Sequence, residues 1–389
     1  LILLIDASNI NAGGGITHLS ELLRAAQLDR YDFTKVLIWA PQKTLDKLEY
    51  RPWLVKKTDP ILEKSYVKRA IWQSRHLDQL AKSENCDLIF VPGGTFVCKF
   101  RPVVSMSQNL LPFDMKASFR YGFSPLTVKF IFLRIAQTLS FRKANGTIFL
   151  TEYAKNAVLK VTGRLKGAVT VVPHGIDERF FIKPRPQYPV SHYTMDDPFR
   201  ILYVSTIEPY KHQCEVISAV ARLRGEGLPV VLDLIGAAYP PALEQLKKEI
   251  VEADRNGVFI NYLGLVAHTE LSNHYRTAQL SVFASTCETF GQILLEGMAA
   301  GLPTACSKKS AMPEILEDAG VYFDAENVES ITNVIREFIT SAELMTEKAE
   351  AAYQKAQKYS WNTCAHKTFL FLAEIAKQHK TIKSNITAK

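Results

Sequence analysis

The stretch CETFGQILLEGMAAGLP, residues 287–303, holds two glutamates, Glu288 and Glu296, with seven residues between them. The preceding LSVFAST has the pattern of a buried strand. GQILLEGMAA has that of an apolar helix, closed by Gly301 and Pro303. Free amides at the start of that helix, around Phe290, Gly291, Gln292 and Ile293, attract an anion. A carboxylate among them would repel a phosphate. The glutamates are therefore expected to flank a phosphate and accept hydrogen bonds from hydroxyl groups. Glu296 follows Gly291 by five residues, about 7–8 Å along a helix axis. That span suits a diphosphate at the helix start, with a sugar on one side and a ribose on the other. Two plainer roles stay open here: Glu288 as a helix cap, and Glu296 as the partner of a lysine.

Two further loops follow apolar runs. NINAGGGITHLSELL carries Gly13, Gly14 and Gly15 just before a helical pattern. Such small residues let backbone amides approach a ligand, and a helix start favours anions. No Gly-Lys-Ser/Thr follows, so this is not a P-loop, and it is not GxGxxG. A plain tight turn is the other reading. His18, just after the glycines, is a further candidate contact. YVSTIEPYKH, residues 203–212, brings Thr206 and the cation of Lys211 into the loop after another strand pattern.

These loops need a scaffold. Short apolar runs alternate with longer amphipathic segments: LILLIDAS, KVLIWA, DLIFVPGG, GTIFLTEY and AVTVVPHG, then RILYVST, PVVLDLIGAA, VFINYLGL, LSVFAST and LPTACS, with helical patterns between. Strand–helix alternation predicts parallel sheets covered by helices. It occurs twice, separated by FIKPRPQYPVSHYTMDDP with its four prolines, which reads as a linker. The fold class is thus α/β, with two doubly wound Rossmann-like domains facing across a cleft. The expected division is residues 1–180, a linker over 181–199, residues 200–366, and a terminal helix over 367–389 packing back on the first domain. In open α/β sheets, ligands sit at the carboxyl ends of the strands, which is where all these loops lie.

Composition agrees with two globular domains. The chain has 389 residues, 47% hydrophobic and 22% charged. No apolar run approaches the roughly 18 residues of a membrane span. LILLID is too short for a signal peptide and reads as a first strand, and a start at Leu1 suggests that an initiator Met or short tag is missing. Six scattered cysteines without a CxxC pair suggest reduced thiols in the cytosol and no zinc site. Charge is uneven. Residues 1–176 carry 25 Lys and Arg against 13 Asp and Glu, and the remainder 22 against 26. The basic half points to an anionic partner or, more plainly, to a solvated basic surface.

Taken in order, VVPHGID, YVSTIEPYKH, DLIG, YLGLV, LSNHYRTAQLSVFASTCETFGQILLEGMAAGLPTACS and SAMPEIL resemble the retaining glycosyltransferases of family 4, which have the GT-B fold. The resemblance is strong over residues 169–324 and weaker before them. It implies roles. Glu288 would hold hydroxyls of a donor sugar and Glu296 the ribose of a nucleotide. Lys211 would meet the diphosphate as the leaving group gains charge. Thr206, Phe290, Gly291, Gln292 and Ile293 would line the donor, the amides of Gly291 and Gln292 sharing the anion. Gly14 and Gly15 would approach the diphosphate or acceptor from the other domain. The donor would be a nucleoside diphosphate sugar and the acceptor a glycan or lipid-linked glycan in cell-surface polysaccharide synthesis.

The chain departs from the family pattern in two places. Many members have an arginine in the loop before the lysine, where this chain has Ser205, Thr206 and Ile207. Many also carry a histidine after the fourth strand of the first domain. Here SMSQNLLPFD offers Gln108 or Asn109 instead, or an ordinary polar loop. No Asp-x-Asp occurs, so no cofactor and no metal are expected, with Lys211 and helix amides meeting the leaving group. Retention in this family is usually explained by front-face attack within an ion pair. An epimerase or phosphorylase on the same fold, and a non-catalytic sugar-binding protein, are the competing readings.

From Lys99 to Lys143 eight basic residues face one acid, Asp114. SPLTVKFIFLRIAQTLSFRKA within this stretch reads as a helix mixing aromatics with cations, the pattern of a segment lying on an anionic membrane. A core-packed helix with a basic outer face is the alternative. Nucleic acid is not expected, since no base-reading motif accompanies the charge. The resulting expectation is a cytoplasmic protein, peripheral on the inner face of the membrane.

Overall fold

The computed structural model describes residues 1–387 apart from Ala12 and His268. Residues 388 and 389 of the expected terminal segment lie outside the described residues. The chain forms two compact units. The first comprises residues 1–115, 123–175 and 360–389, and the second residues 116–122 and 176–359. The proline-rich stretch belongs to the second unit: Ile182 donates its amide to the Ala299 carbonyl at 3.0 Å, and Tyr193 meets Phe199 edge-on. The terminal stretch that joins the first unit begins at Ser360 rather than at 367.

The first unit holds a seven-stranded parallel sheet. Its strands are β1 (Ile2–Asp6), β2 (Lys35–Trp39), β3 (Leu54–Lys57), β4 (Leu88–Val91), β5 (Val103–Ser107), β6 (Gly146–Phe149) and β7 (Ala168–Val171), in the order β3-β2-β1-β4-β5-β6-β7. The second unit holds six parallel strands: β8 (Phe199–Val204), β9 (Val230–Ile235), β10 (Ile260–Tyr262), β11 (Leu280–Phe283), β12 (Thr304–Ser307) and β13 (Val321–Phe323). Their order is β10-β9-β8-β11-β12-β13. Central strands such as β4, β9 and β11 are buried along their whole length, as helices on both faces require of an aliphatic run. Strands β3, β5 and β13 add to those read from the apolar pattern.

Both sheets reverse their order once, at β1/β4 and at β8/β11. Loops leaving adjacent strands there turn to opposite sides and leave a crevice. Two doubly wound units in one chain are the α/β architecture expected of the GT-B resemblance.

Helix Pro125–Lys143 starts as its sequence dictates, with Ser124 accepting the Thr127 amide and Pro125 in the first turn. Its outer face mixes apolar residues with cations. Phe130 and Phe141 enter the core, while Val128, Ile131, Phe132, Ile135 and Leu139 are exposed. Arg134 donates to the carbonyls of Pro112 and Phe113, and Arg142 to that of Thr162 at 2.7 Å. The outer face is therefore an apolar stripe with Lys129, Arg142 and Lys143 exposed beside it. Apolar residues lie on all sides of this helix, and the core takes only one side.

Candidate functional site

In the second unit the two chemistry-bearing loops leave β8 and β11, the adjacent strands at the reversal. After β8 the chain turns sharply, with the Lys211 amide donating to the Glu208 carbonyl at 2.9 Å. The Tyr203 hydroxyl holds the Lys211 carbonyl at 2.5 Å. After β11 the loop is held by Ser310. Its Oγ accepts the Glu288 amide at 2.6 Å and donates to the Glu288 carbonyl at 2.8 Å. Each loop is fixed by its backbone, so each side chain is aimed.

The aimed side chains meet. Lys211 Nζ donates to Glu288 Oε1, which also accepts the Ser285 hydroxyl at 2.8 Å. Lys211 is only 6% exposed, and its ammonium lies 5.1 Å and 5.2 Å from the ring centres of Tyr210 and Phe283. Aromatic faces and a carboxylate together compensate a charge that burial would otherwise disfavour. Sequence reasoning gave these two residues separate ligand partners and missed that they pair. The pairing depends on strand order, which local pattern does not reveal.

Helix Gln292–Ala299 begins at Gly291, whose φ of 95° is left-handed and suits glycine. A Cβ there would come within 2.6 Å of Met312. Glycine itself offers no side-chain cap. Gln292 and Ile293 lie in the partly open first turn, while Phe290 is buried with its ring edge-on to Tyr359. Thr206 is exposed, and its carbonyl accepts Gln213 Nε2 at 2.8 Å. Glu296 is buried, 3% exposed, and accepts the Tyr275 hydroxyl at 3.3 Å. Burial first, and then Glu296, push the Tyr275 phenol well above its ordinary value.

Gly14, Gly15, His18, Gln108 and Asn109 lie in the first unit. Gly13, with φ 62°, precedes helix Gly14–Arg24, and Gly14 has open space around it. Gly15 packs on Ile10. His18 is fully buried, stacked 4.7 Å from His174 and near Trp361. Its Nδ1 is 3.3 Å from Gln108 Nε2, which also donates to the Pro92 carbonyl at 3.1 Å. Nδ1 then accepts and Nε2 carries the proton. Burial, and then His174, hold the imidazole well below its usual value, so it is neutral. Asn109 closes its own turn, its Oδ1 accepting the Leu111 amide at 3.0 Å.

Among the described residues no cluster of three or more His, Cys, Asp or Glu is placed to hold a metal ion. The six cysteines are free. No helix of the described residues is long and apolar enough to cross a membrane.

The family described as glycosyl transferases group 1 matches residues 184–358, which include both loops and helix Gln292–Ala299. The second unit is a glycosyl transferases group 1 domain. O-antigen chain mannosyltransferase B of Escherichia coli is 29% identical over 167 residues, 43% of this chain and 44% of that protein. A GDP-mannose-dependent alpha-(1-6)-phosphatidylinositol monomannoside mannosyltransferase of Mycobacterium tuberculosis is 23% identical over 62% of this chain and 65% of its own length. The matches thus span less than half of the E. coli protein and just under two thirds of the mycobacterial one. Among solved structures, Anabaena HepE in complex with UDP and glucose superposes with a TM-score of 0.70. It has 20% identity and covers 96% of this chain and 99% of that one. The group 1 domain and the first unit together therefore share that protein's fold.

Proposed function

We propose that the protein transfers a hexose from a nucleoside diphosphate sugar to a glycan or lipid-linked acceptor, with retained configuration and without a metal. The observation that supports this is the Lys211–Glu288 pair at the reversal of the second sheet, with Glu288 in the loop that leads into helix Gln292–Ala299. The pair keeps two opposite charges compensated until a donor arrives. A diphosphate at the helix start takes the ammonium, and the freed carboxylate accepts hydroxyls of the sugar. The bond from C1 to the leaving phosphate oxygen breaks, and its electron pair goes to the nucleoside diphosphate. The acceptor oxygen bonds to C1, and its proton passes to the leaving phosphate. Lys211 and the amides of Gly291 and Gln292 offset the growing negative charge. Glu296 holds the ribose, exchanging its phenol partner for a hydroxyl.

Relatives with similar sequences are named as mannosyltransferases, one GDP-mannose-dependent, and a protein of the same fold binds UDP and glucose. These names support a nucleotide-sugar donor and a role in surface polysaccharide synthesis. The exposed apolar stripe of helix Pro125–Lys143 with Lys129 and Lys143 supports peripheral contact with an anionic membrane, where a lipid-linked acceptor would lie. A thermal-shift panel of UDP- and GDP-sugars, followed by a hydrolysis assay on those that bind, tests the reading. Stabilisation by a nucleotide sugar and release of its nucleoside diphosphate are expected. Neither event with any member of the panel would leave the reading without support.

A further inference from the structure

We propose that Tyr121 is a positioning residue for the transferase site: it occupies Glu208, so that Lys211 pairs with Glu288. The role rests on the reading above. Two carboxylates feel the Lys211 ammonium: Glu288, which pairs with it, and Glu208, whose carboxyl burial raises and that charge lowers. Glu288 comes from the loop after β11, and Glu208 opens the turn that Lys211 closes. A lysine offered both would divide its time between them, and only one arrangement leaves the ammonium on Glu288.

The segment Lys116–Gly122 packs within the second unit. Lys116 and Arg120 both pair with Glu326, and Ala117 and Ser118 are buried, so the segment is fastened before Tyr121 is reached. The Tyr121 hydroxyl donates to Glu208 Oε2 at 2.7 Å. Its ring lies 5.4 Å from that of Tyr239 and 6.5 Å from that of Tyr210, the ring facing the Lys211 ammonium. Tyr121 thereby satisfies the competing carboxylate and backs the aromatic that guides the lysine. Burial raises the Glu208 carboxyl and the phenol's hydrogen bond lowers it, so this donor also bears on the charge of Glu208.

The test compares wild type, Tyr121→Phe, Glu208→Gln and the double variant. The rate of reductive methylation of Lys211 is read by peptide mass spectrometry, with the other lysines as a folding control. Tyr121→Phe should lower the Lys211 rate by about tenfold or more, because a second free carboxylate holds the ammonium protonated and methylation needs the neutral amine. The double variant should return to the wild-type rate, because a neutral amide no longer draws the ammonium. An unchanged Lys211 rate in Tyr121→Phe, or a double variant that stays like the single one, overturns the proposal. UDP-glucose and GDP-mannose hydrolysis form a second arm, in which Tyr121→Phe lowers kcat more than it changes KM and Glu208→Gln restores it. A wild type that hydrolyses neither donor counts against the transferase reading and leaves the labelling result standing. Equal loss in the single and double variants, with all lysines relabelled, would mean a merely structural tyrosine.

Discussion

The ammonium of Lys211 and the carboxylate of Glu288 meet where the second sheet reverses direction, each carried by a backbone-fixed loop from one of two adjacent strands. They are 77 residues apart in sequence. Their pairing, between the rings of Tyr210 and Phe283, holds the cation in place without any ligand.

Lys211→Ala removes the cation proposed to meet the leaving diphosphate. Donor hydrolysis should fall by about 10²–10³-fold, the usual effect of losing one preorganised electrostatic contact in a transition state. Steady-state rates on a variant with an unchanged melting curve check it. Near-normal turnover would remove Lys211 from the chemistry.

The two glutamates should separate by ligand. Glu296→Gln keeps the shape of a buried side chain beside Tyr275 and weakens binding of free UDP or GDP, because the ribose is its proposed partner. Glu288→Gln should leave nucleotide affinity near wild type and damage turnover. Calorimetry with the nucleoside diphosphates decides it, and equal loss in both variants would refute separate partners.

Acid should destabilise the first unit through His18. Unfolded, the imidazole titrates near its ordinary value of 6.5; folded, it titrates well below. The unfolded state therefore binds more protons, and the stability present above that value is lost progressively as pH falls beneath it. Melting temperatures between about pH 7.5 and about pH 5.5 should drop more steeply for wild type than for His18→Gln. Parallel slopes would show that another group controls the loss.

Gly297→Ala should destabilise the second unit. The new Cβ would sit 2.7 Å from Ser281 Oγ and 3.2 Å from Ser281 Cβ, on the strand beneath the helix. Overpacking of this kind costs about 1–3 kcal/mol, against a gain of about 1 kcal/mol in helix propensity. Urea denaturation measures the balance. A variant more stable than wild type would mean that the helix can shift outward freely.

Vesicle binding should depend on apolar residues as well as on charge. Phe132→Ser with Ile135→Ser should release the protein from anionic vesicles, and Lys129→Gln with Lys143→Gln should weaken binding by about 1 kcal/mol per cation. Arg134 and Arg142 are not substituted, because they hold backbone carbonyls. Flotation of all variants at wild-type levels would make the stripe an ordinary surface. A monomer–dimer shift in the serine variants, read by light scattering, would assign it to a second copy of the chain instead.

Much of the scaffold was legible in the linear chain. Aliphatic runs such as LILLID and VVLDLI recur at the spacing of strands with helices between them, and burial on both faces demands that pattern whatever lies elsewhere. Glu288, Glu296, Gly291 and Lys211 were also legible, because each occupies a loop or helix start whose chemistry is local. What the chain alone could not decide depended on which elements became neighbours. Lys211 pairs with Glu288 only because β11 returns to lie beside β8. His18 is buried because His174 and Trp361, far away in sequence, stack around it. The stripe on helix Pro125–Lys143 stays exposed because the core accepts one side of a helix that is apolar on all sides. Periodicity reports what each segment would bury, and tertiary packing decides against what.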